Sequence, residues 1–263
     1  MGNLINFCAK QKPALCFHAS LGYASGPIEK KGRVVNLIKK EASEGPKLPT
    51  HEVVYRALRD LILFGELAPG QAVTIKGLTE QLEAGMTPVR EAIRRLTAEE
   101  ALNFMGNRRV SVPDLSVDDI SELLLLRLAV EPELTRRACR LITLPQISAL
   151  EATDAALDDA IEAGDVGGYL RRNHAFHTQI YDLAGAPILA GTTQRLWLRF
   201  GPALRVVCGR FGTQSLPDFH KDILRALRNG QPDMAAEAMA QDVRQGMVQI
   251  QSNLDRDATE QVT

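Results

Sequence analysis

Residues 86–96 read Met86-Thr87-Pro88-Val89-Arg90-Glu91-Ala92-Ile93-Arg94-Arg95-Leu96, and the first half of the chain turns on how they are read. Proline is tolerated in the first turn of a helix, where its missing N–H is no loss. Gly85 breaks the segment before it, so a helix is predicted to start near Gly85–Pro88. With Val89, Ile93 and Leu96 turned inward, Arg90 and Arg94 fall one turn apart on a different, exposed face. Two guanidinium groups so placed near a helix start suit guanine edges or phosphates. As charges alone they fit a solvated helix face equally well, so their surroundings must decide.

Upstream, Val53, Val54, Ala57, Leu58, Leu61 and Ile62 recur at helical steps from Thr50, and the pattern stops at Phe64-Gly65 before a turn at Pro69-Gly70. Thr74 is a predicted cap for a second short helix carrying Ile75, Leu78 and Leu82. Downstream, two extended runs, Leu102–Met105 and Val110–Val112, flank the turn Gly106-Asn107. Three short helices followed by a two-stranded ribbon is the order of a winged helix-turn-helix, predicted over 47–114. Arg108 and Arg109 fall at the ribbon tip, where a wing meets the flanking groove.

Everything after residue 115 reads as helix. Ser116 with Asp119 resembles a capping box. Breaks at Leu144-Pro145, Ala163-Gly164, Gly185-Ala186-Pro187, Gly212 and Asn229-Gly230-Gln231-Pro232 leave about six helices of roughly 14–25 residues. Short connections imply antiparallel neighbours. The predicted fold is therefore mostly α: an N-terminal winged helix-turn-helix and a C-terminal all-helical antiparallel bundle over 116–254, with a tail over 255–263. Residues 1–46 show no periodicity and are predicted to be a disordered arm, whose basic cluster Lys30, Lys31, Arg33, Lys39 and Lys40 could touch phosphates.

Composition excludes several classes. The 263 residues carry 31 Lys and Arg against 32 Asp and Glu, net −1. The balance is +4 over 1–46, zero over 47–115 and −5 over 116–263. No whole-chain basic field argues for nucleic acid, so that argument rests on local placement. No apolar run approaches the ~20 residues of a membrane helix, and the first 20 residues lack a signal-peptide core. The four cysteines form no CxxC pair, which suits free thiols in a reducing compartment. A secreted disulfide scaffold, a membrane protein and a zinc ribbon are all disfavoured.

Four polar residues interrupt apolar faces of the predicted bundle. Asn173 and His177, four apart, share a face with Leu170, Ile180 and Ala184. His220 lies on the stripe Leu216, Ile223, Leu227, and Asp242 on Ala235, Met239, Gly246, Ile250. Positions 220 and 242 are equidistant from the turn Asn229–Pro232, so in an antiparallel hairpin they meet at one level. Two imidazoles, a carboxylate and an amide oxygen converging there suit a divalent metal. A lone histidine on an apolar face is more often a satisfied core residue, and both readings stand on spacing alone. Arg127 also faces inward; its partner is either Glu131, one turn on, or the carboxylate of a bound effector. Arg195 and Arg199 are weaker candidates, and His174 is expected off the metal face, in its outer surroundings or at the surface.

The stretches Ile62…Gly65-Glu66-Leu67-Ala68-Pro69-Gly70 and Thr87-Pro88-Val89-Arg90-Glu91-Ala92-Ile93-Arg94-Arg95-Leu96 resemble the DNA-binding domain of GntR-family regulators. The helical half resembles the ligand-binding FCD domain of the FadR subfamily, and the likeness spans about residues 48–254. It implies no enzyme but a homodimeric transcriptional regulator, a repressor by expectation, acting on a palindromic operator in the bacterial cytoplasm at the nucleoid. Gly85 and Met86 stand where the family usually has Ser-Arg before the Thr-Pro that Thr87 opens; Lys76 stands where some members use a base-contacting Arg; Arg109 replaces a glycine of the wing. In metal-binding FCD domains an Asp-x-x-x-His pair is joined by two later histidines. Asn173 and His177 match the pair with Asn for Asp, His220 matches the third ligand, and Asp242 replaces the fourth. The implied ion is Zn, Ni, Fe or Mn, and the implied effector a small organic acid. Two further readings remain open here: a metal-dependent bundle enzyme, for which no nucleophile–base spacing is found, and a sensor module that has lost base reading at Met86.

Overall fold

The computed structural model describes residues 49–107, 109–211 and 219–260. The arm expected over 1–46, Leu216 and Arg108 lie outside the described residues. Helix α1 spans Thr50–Leu63, strand β1 Ala72–Thr74, α2 Ile75–Gln81, α3 Met86–Ala98, β2 Asn103–Phe104 and β3 Arg109–Ser111. The helical half comprises α4 Val117–Leu141, α5 Leu144–Glu162, α6 Val166–Leu183, α7 Pro187–Phe211, α8 His220–Arg228 and α9 Pro232–Glu260.

The first half is the expected winged helix-turn-helix. Helix α1 buries Val54, Leu58, Leu61 and Ile62 against the Val89, Ala92, Ile93 and Leu96 face of α3. Gly65, at φ +63°, ends α1 in the left-handed region that glycine adopts without strain. Thr74 caps α2, its Oγ1 accepting from the Gly77 N–H at 2.9 Å. The wing is antiparallel, with Phe104 opposite Val110. The sequence reading lacked a third strand: β1 pairs with β3, Ala72 opposite Ser111, giving the order β1-β3-β2. Three residues are too short to show a period of two, and the partner lies some 40 positions away in sequence.

In the second half, Ser116 and Asp119 form the capping box: Ser116 Oγ accepts from the Asp119 N–H at 3.1 Å, and Asp119 accepts from the Ser116 N–H at 2.8 Å. Helix α4 runs unbroken past Pro132. Helix α9 lies antiparallel beside it, with Arg136 meeting Asp233 at 2.9 Å near one end and Arg127 and Asp242 lining one pocket further along. Six helices are described, as expected, but their lengths spread wider, from the 9 residues of α8 to the 29 of α9. The segment 255–260, expected in the tail, continues α9.

The two halves share one apolar core. Helix α7 lies against α1, with Gly201 packed on the Leu63 carbonyl so closely that any Cβ there would collide with backbone. Arg199 ties the halves further, donating to the Glu100 carbonyl at 3.0 Å and facing Asp119 at 3.6 Å. Arg171 faces Glu66 at 3.5 Å.

Candidate metal centre and nucleic-acid interface

Burying a polar side chain costs free energy unless it is paired, so polar groups inside the bundle require partners. Arg127, Glu131, Asp154, Asn173, His177 and His220 are all buried there. Helix α6 presents Asn173 and His177 inward with Leu170 and Ile180. His220 opens α8, and Asp242 sits mid-way along α9. The His220–Asp242 level inferred from the turn is realised: His220 Nε2 lies 3.9 Å from Asp242 Oδ1. His177 Nε2 lies 3.2 Å from Asp242 Oδ2 and 3.4 Å from His220 Nε2. One donor atom from each of the three falls within 4.8 Å of the other two, a spacing one ion can bridge. Asn173 lines the same pocket. Two imidazole nitrogens and a carboxylate are a set that borderline divalent cations take. Burial pushes the Asp242 carboxyl up, but the His177 hydrogen bond and the positive groups of His177, His220 and Arg127 outweigh it and hold the pKa at about 2.

Around these donors is a second layer that the sequence reading did not assemble. Asp154 Oδ1 lies 3.1 Å from His220 Nδ1. Tyr181 Oη lies 3.1 Å from His177 Nδ1 and donates to Glu131 Oε2 at 2.7 Å. Burial and the Glu131 charge raise the Tyr181 phenol well above its ordinary range, so it keeps its proton. Arg127 donates to Glu131 through Nε at 2.5 Å and Nη2 at 3.0 Å, and stacks over Phe200 at 3.9 Å. Of the two partners weighed for Arg127, the structure supplies Glu131; Arg127 nonetheless lines the pocket beside Asp242. Asp154 was legible in principle, since it interrupts the stripe Ile147, Leu150, Leu157 just as Asp242 interrupts its own.

His174 is neither in the outer surroundings of the metal face nor at the surface. It is half-buried between Phe64 of α1, 5.8 Å away, and Trp197 of α7, 5.0 Å away, both edge-on. Burial, then the charges of Arg59 and His177, lower its pKa to about 4, so the ring is neutral there. Trp197 also lies 5.4 Å from the His177 ring. Arg195 is exposed, and Arg199 belongs to the contact between the halves.

On the other half, α3 begins with Gly85 as its cap and no side-chain capping bond, which leaves its first N–H groups open. Gly85, Met86, Thr87 and Arg90 are exposed at that end, Met86 at 48%. Arg94 is exposed but engaged by Glu91 through both Nε, at 3.1 Å, and Nη2, at 2.8 Å. Arg95 is structural: it pairs with Glu52 at 2.8 Å and lies 3.6 Å over the Tyr55 ring. Lys76 is exposed on α2, 3.8 Å from Glu80. Arg109 is exposed where the wing strand leaves its turn.

Three comparisons bear on this arrangement. The profile described as "Bacterial regulatory proteins, gntR family" matches residues 50–112, and the "FCD domain" profile matches residues 122–245. The chain is 31% identical over 147 residues to the HTH-type transcriptional regulator McbR of Escherichia coli K12, covering 56% of this chain and 66% of that protein. It is 26% identical to the HTH-type transcriptional repressor RspR of the same organism, covering 78% of this chain and 90% of that one. The solved structure of E. coli McbR/YncC superposes with a TM-score of 0.75 at 25% identity, covering 79% of this chain and 99% of the other.

Proposed function

Because this chain belongs to the GntR family of bacterial regulatory proteins and joins that family's DNA-binding domain to an FCD domain, a pairing found in transcriptional regulators, we propose that its helical half senses a small carboxylate metabolite through a divalent cation and thereby controls the grip of its winged half on DNA. The matched relatives are regulators of transcription and not enzymes, which sets aside the bundle-enzyme reading. The observation that carries the sensing half is the convergence of His177, His220 and Asp242 inside an otherwise apolar bundle. Asn173 supplies the fourth ligand, an amide oxygen, on this reading. When bound, Zn, Ni, Fe or Mn supplies the positive charge that a carboxylate effector seeks.

The chain's own residues do the rest. Arg127, fixed by Glu131, lines the pocket beside Asp242, and Trp197 lines it as well. The cavity between these groups is only about 50 Å³, far below the ~300 Å³ of a metabolite pocket. An effector therefore enters by moving side chains of α7 or α9, which is how occupancy acquires different free energies in two arrangements. On the DNA side, Met86, Thr87 and Arg90 meet base edges from the start of α3, Lys76 and Arg94 meet the backbone, and Arg109 reaches the flanking groove. One short recognition helix makes few base contacts, so the working unit is a homodimer on a palindrome, in the cytoplasm at the nucleoid. Repression is the assigned sign, in keeping with the name given to RspR.

The test is selection of random duplexes on the full chain, with and without Mn²⁺ or Zn²⁺. Recovery of a short palindrome supports a dimeric sequence reader. Recovery of no motif under either condition removes it and favours a sensor without base reading.

A further inference from the structure

We propose that Phe104 and Met105 make the wing an apolar wedge for the minor groove: they press on a base step beside the half-site that α3 reads, so that the protein selects flanking DNA by how easily it bends. The inference rests on the DNA-binding half of the reading above and is independent of any cation.

The wing is short and slim. Strand β2 is an edge of the sheet and pairs with β3 over only two residues. The Arg109 N–H closes the turn onto the Gly106 carbonyl at 2.9 Å, with Gly106 at φ +75° and Asn107 at φ +47°. Gly106 has open space where a side chain would stand, so it adds no width to the tip. A slim tip is what a groove about 6 Å wide admits.

The outward residues are not those of a solvated turn. Strand residues alternate between faces, so one of two neighbours normally turns to the core. Here Asn103, Phe104 and Met105 are all exposed, Phe104 by 62% and Met105 by 59%, while Leu102 before them and Val110 opposite Phe104 are buried. A phenylalanine and a methionine side by side on an edge strand invite association unless a partner covers them.

Charge and placement make that partner DNA. From Ala101 to Pro113 the ribbon carries two arginines, Arg108 and Arg109, and no acidic residue. The Met105 N–H donates to the Arg109 carbonyl at 3.0 Å, so an apolar and a cationic residue are cross-strand neighbours. A polyanion fits that pair, whereas an apolar protein face would bury the guanidinium without a partner. The Ala101 and Leu102 N–H groups both bond to the Leu96 carbonyl, which ties the ribbon to the end of α3, so whatever seats α3 brings the wing to the duplex. Strand-to-strand pairing with a second copy is disfavoured, because a two-residue edge is too short a template. Apolar side chains pressed into the minor groove unstack a step and kink the duplex by roughly 20–90°. Pyrimidine–purine steps such as TA unstack most readily, so a wedge reads the deformability of the flank.

The experiment uses the full chain as wild type, Phe104→Ala with Met105→Ala, Phe104→Leu, and Arg109→Ala. Each is titrated onto two end-labelled duplexes of equal length and identical core, one flanked by TA steps and one by G·C-rich sequence. Energy transfer between the ends reads the bend. The core is the selected palindrome or, where none is recovered, an arbitrary sequence. Thermal unfolding checks that each variant folds. Wild type is expected to favour the TA-flanked duplex by about tenfold and to bend it by about 20° or more beyond the other. The double variant should lose both preferences at an unchanged salt dependence, since it removes no phosphate contact. Phe104→Leu, still apolar, should keep them. Arg109→Ala should instead weaken binding to both duplexes and flatten the salt dependence. A folded double variant that keeps the wild-type flank preference and bend overturns the inference, as does a wild type that binds and bends both duplexes alike. A double variant whose association state changes in sedimentation shows a contact between copies and overturns it too. A wild type that binds neither duplex removes the DNA reading itself.

Discussion

Arg127 is a full charge, 4% exposed, with its guanidinium carbon over the Phe200 ring and both oxygens of Glu131 within hydrogen-bond distance. Removing one partner of such a pair strands the other in a medium that cannot solvate it. Arg127→Ala should therefore lower stability by about 3–5 kcal/mol in urea unfolding, and a loss under about 1 kcal/mol would mean that water reaches Glu131. Arg90 and Arg95 sit close together on one helix and should behave differently. Arg90→Ala should weaken binding to a selected duplex by about 1–3 kcal/mol with unfolding unchanged. Arg95→Ala loses the Glu52 pair and the Tyr55 ring and should act on stability instead. Equal effects on base preference would contradict the placement of α3. At this scale the sequence was a good guide to which residues matter and a poorer guide to what each one touches. His177, His220 and Asp242 were legible because each breaks an apolar stripe, and the turn fixes the level of His220 and Asp242. Tyr181 was not, because a tyrosine on a buried face announces packing, and its hydroxyl acquires a role only when Glu131 arrives from another helix.

Helices were legible where caps and periodicity agree. Thr74, Gly85 and Ser116 each mark a start that the structure keeps. Strand β1 was not, being made by pairing with β3 and by no pattern of its own. The packing of α7 on α1 was equally hidden, because it depends on what Gly201 lacks. A methyl group there would press on the Leu63 carbonyl, which is backbone and cannot turn aside. Gly201→Ala should force α1 and α7 apart and cost about 1–3 kcal/mol, seen as a lowered thermal midpoint. An unchanged midpoint would mean that the two halves do not press together at this point. His174 owes its place to the same contact: the sequence shows it beside the ligand pair but not that Phe64 and Trp197 close around it.

Taken whole, the molecule puts the His177–His220–Asp242 cluster and helix α3 on opposite sides of one short chain of rings. Trp197 touches His177 on one side and His174 on the other, and His174 touches Phe64 at the end of α1. Helix α1 packs on α3. On the proposed function, a shift at this cluster has a packed route to α3, and a coupling of about 1–3 kcal/mol, or 5- to 150-fold in affinity, is the size such routes carry. The most direct test is the affinity of the full chain for a selected palindromic duplex, measured by fluorescence anisotropy as Zn²⁺ or Mn²⁺ is titrated, for wild type and for His177→Ala. The account predicts that the ion shifts wild-type affinity within that range and leaves the His177→Ala curve flat. Superposable curves for the two proteins, at ion concentrations that saturate the wild-type site, would contradict it.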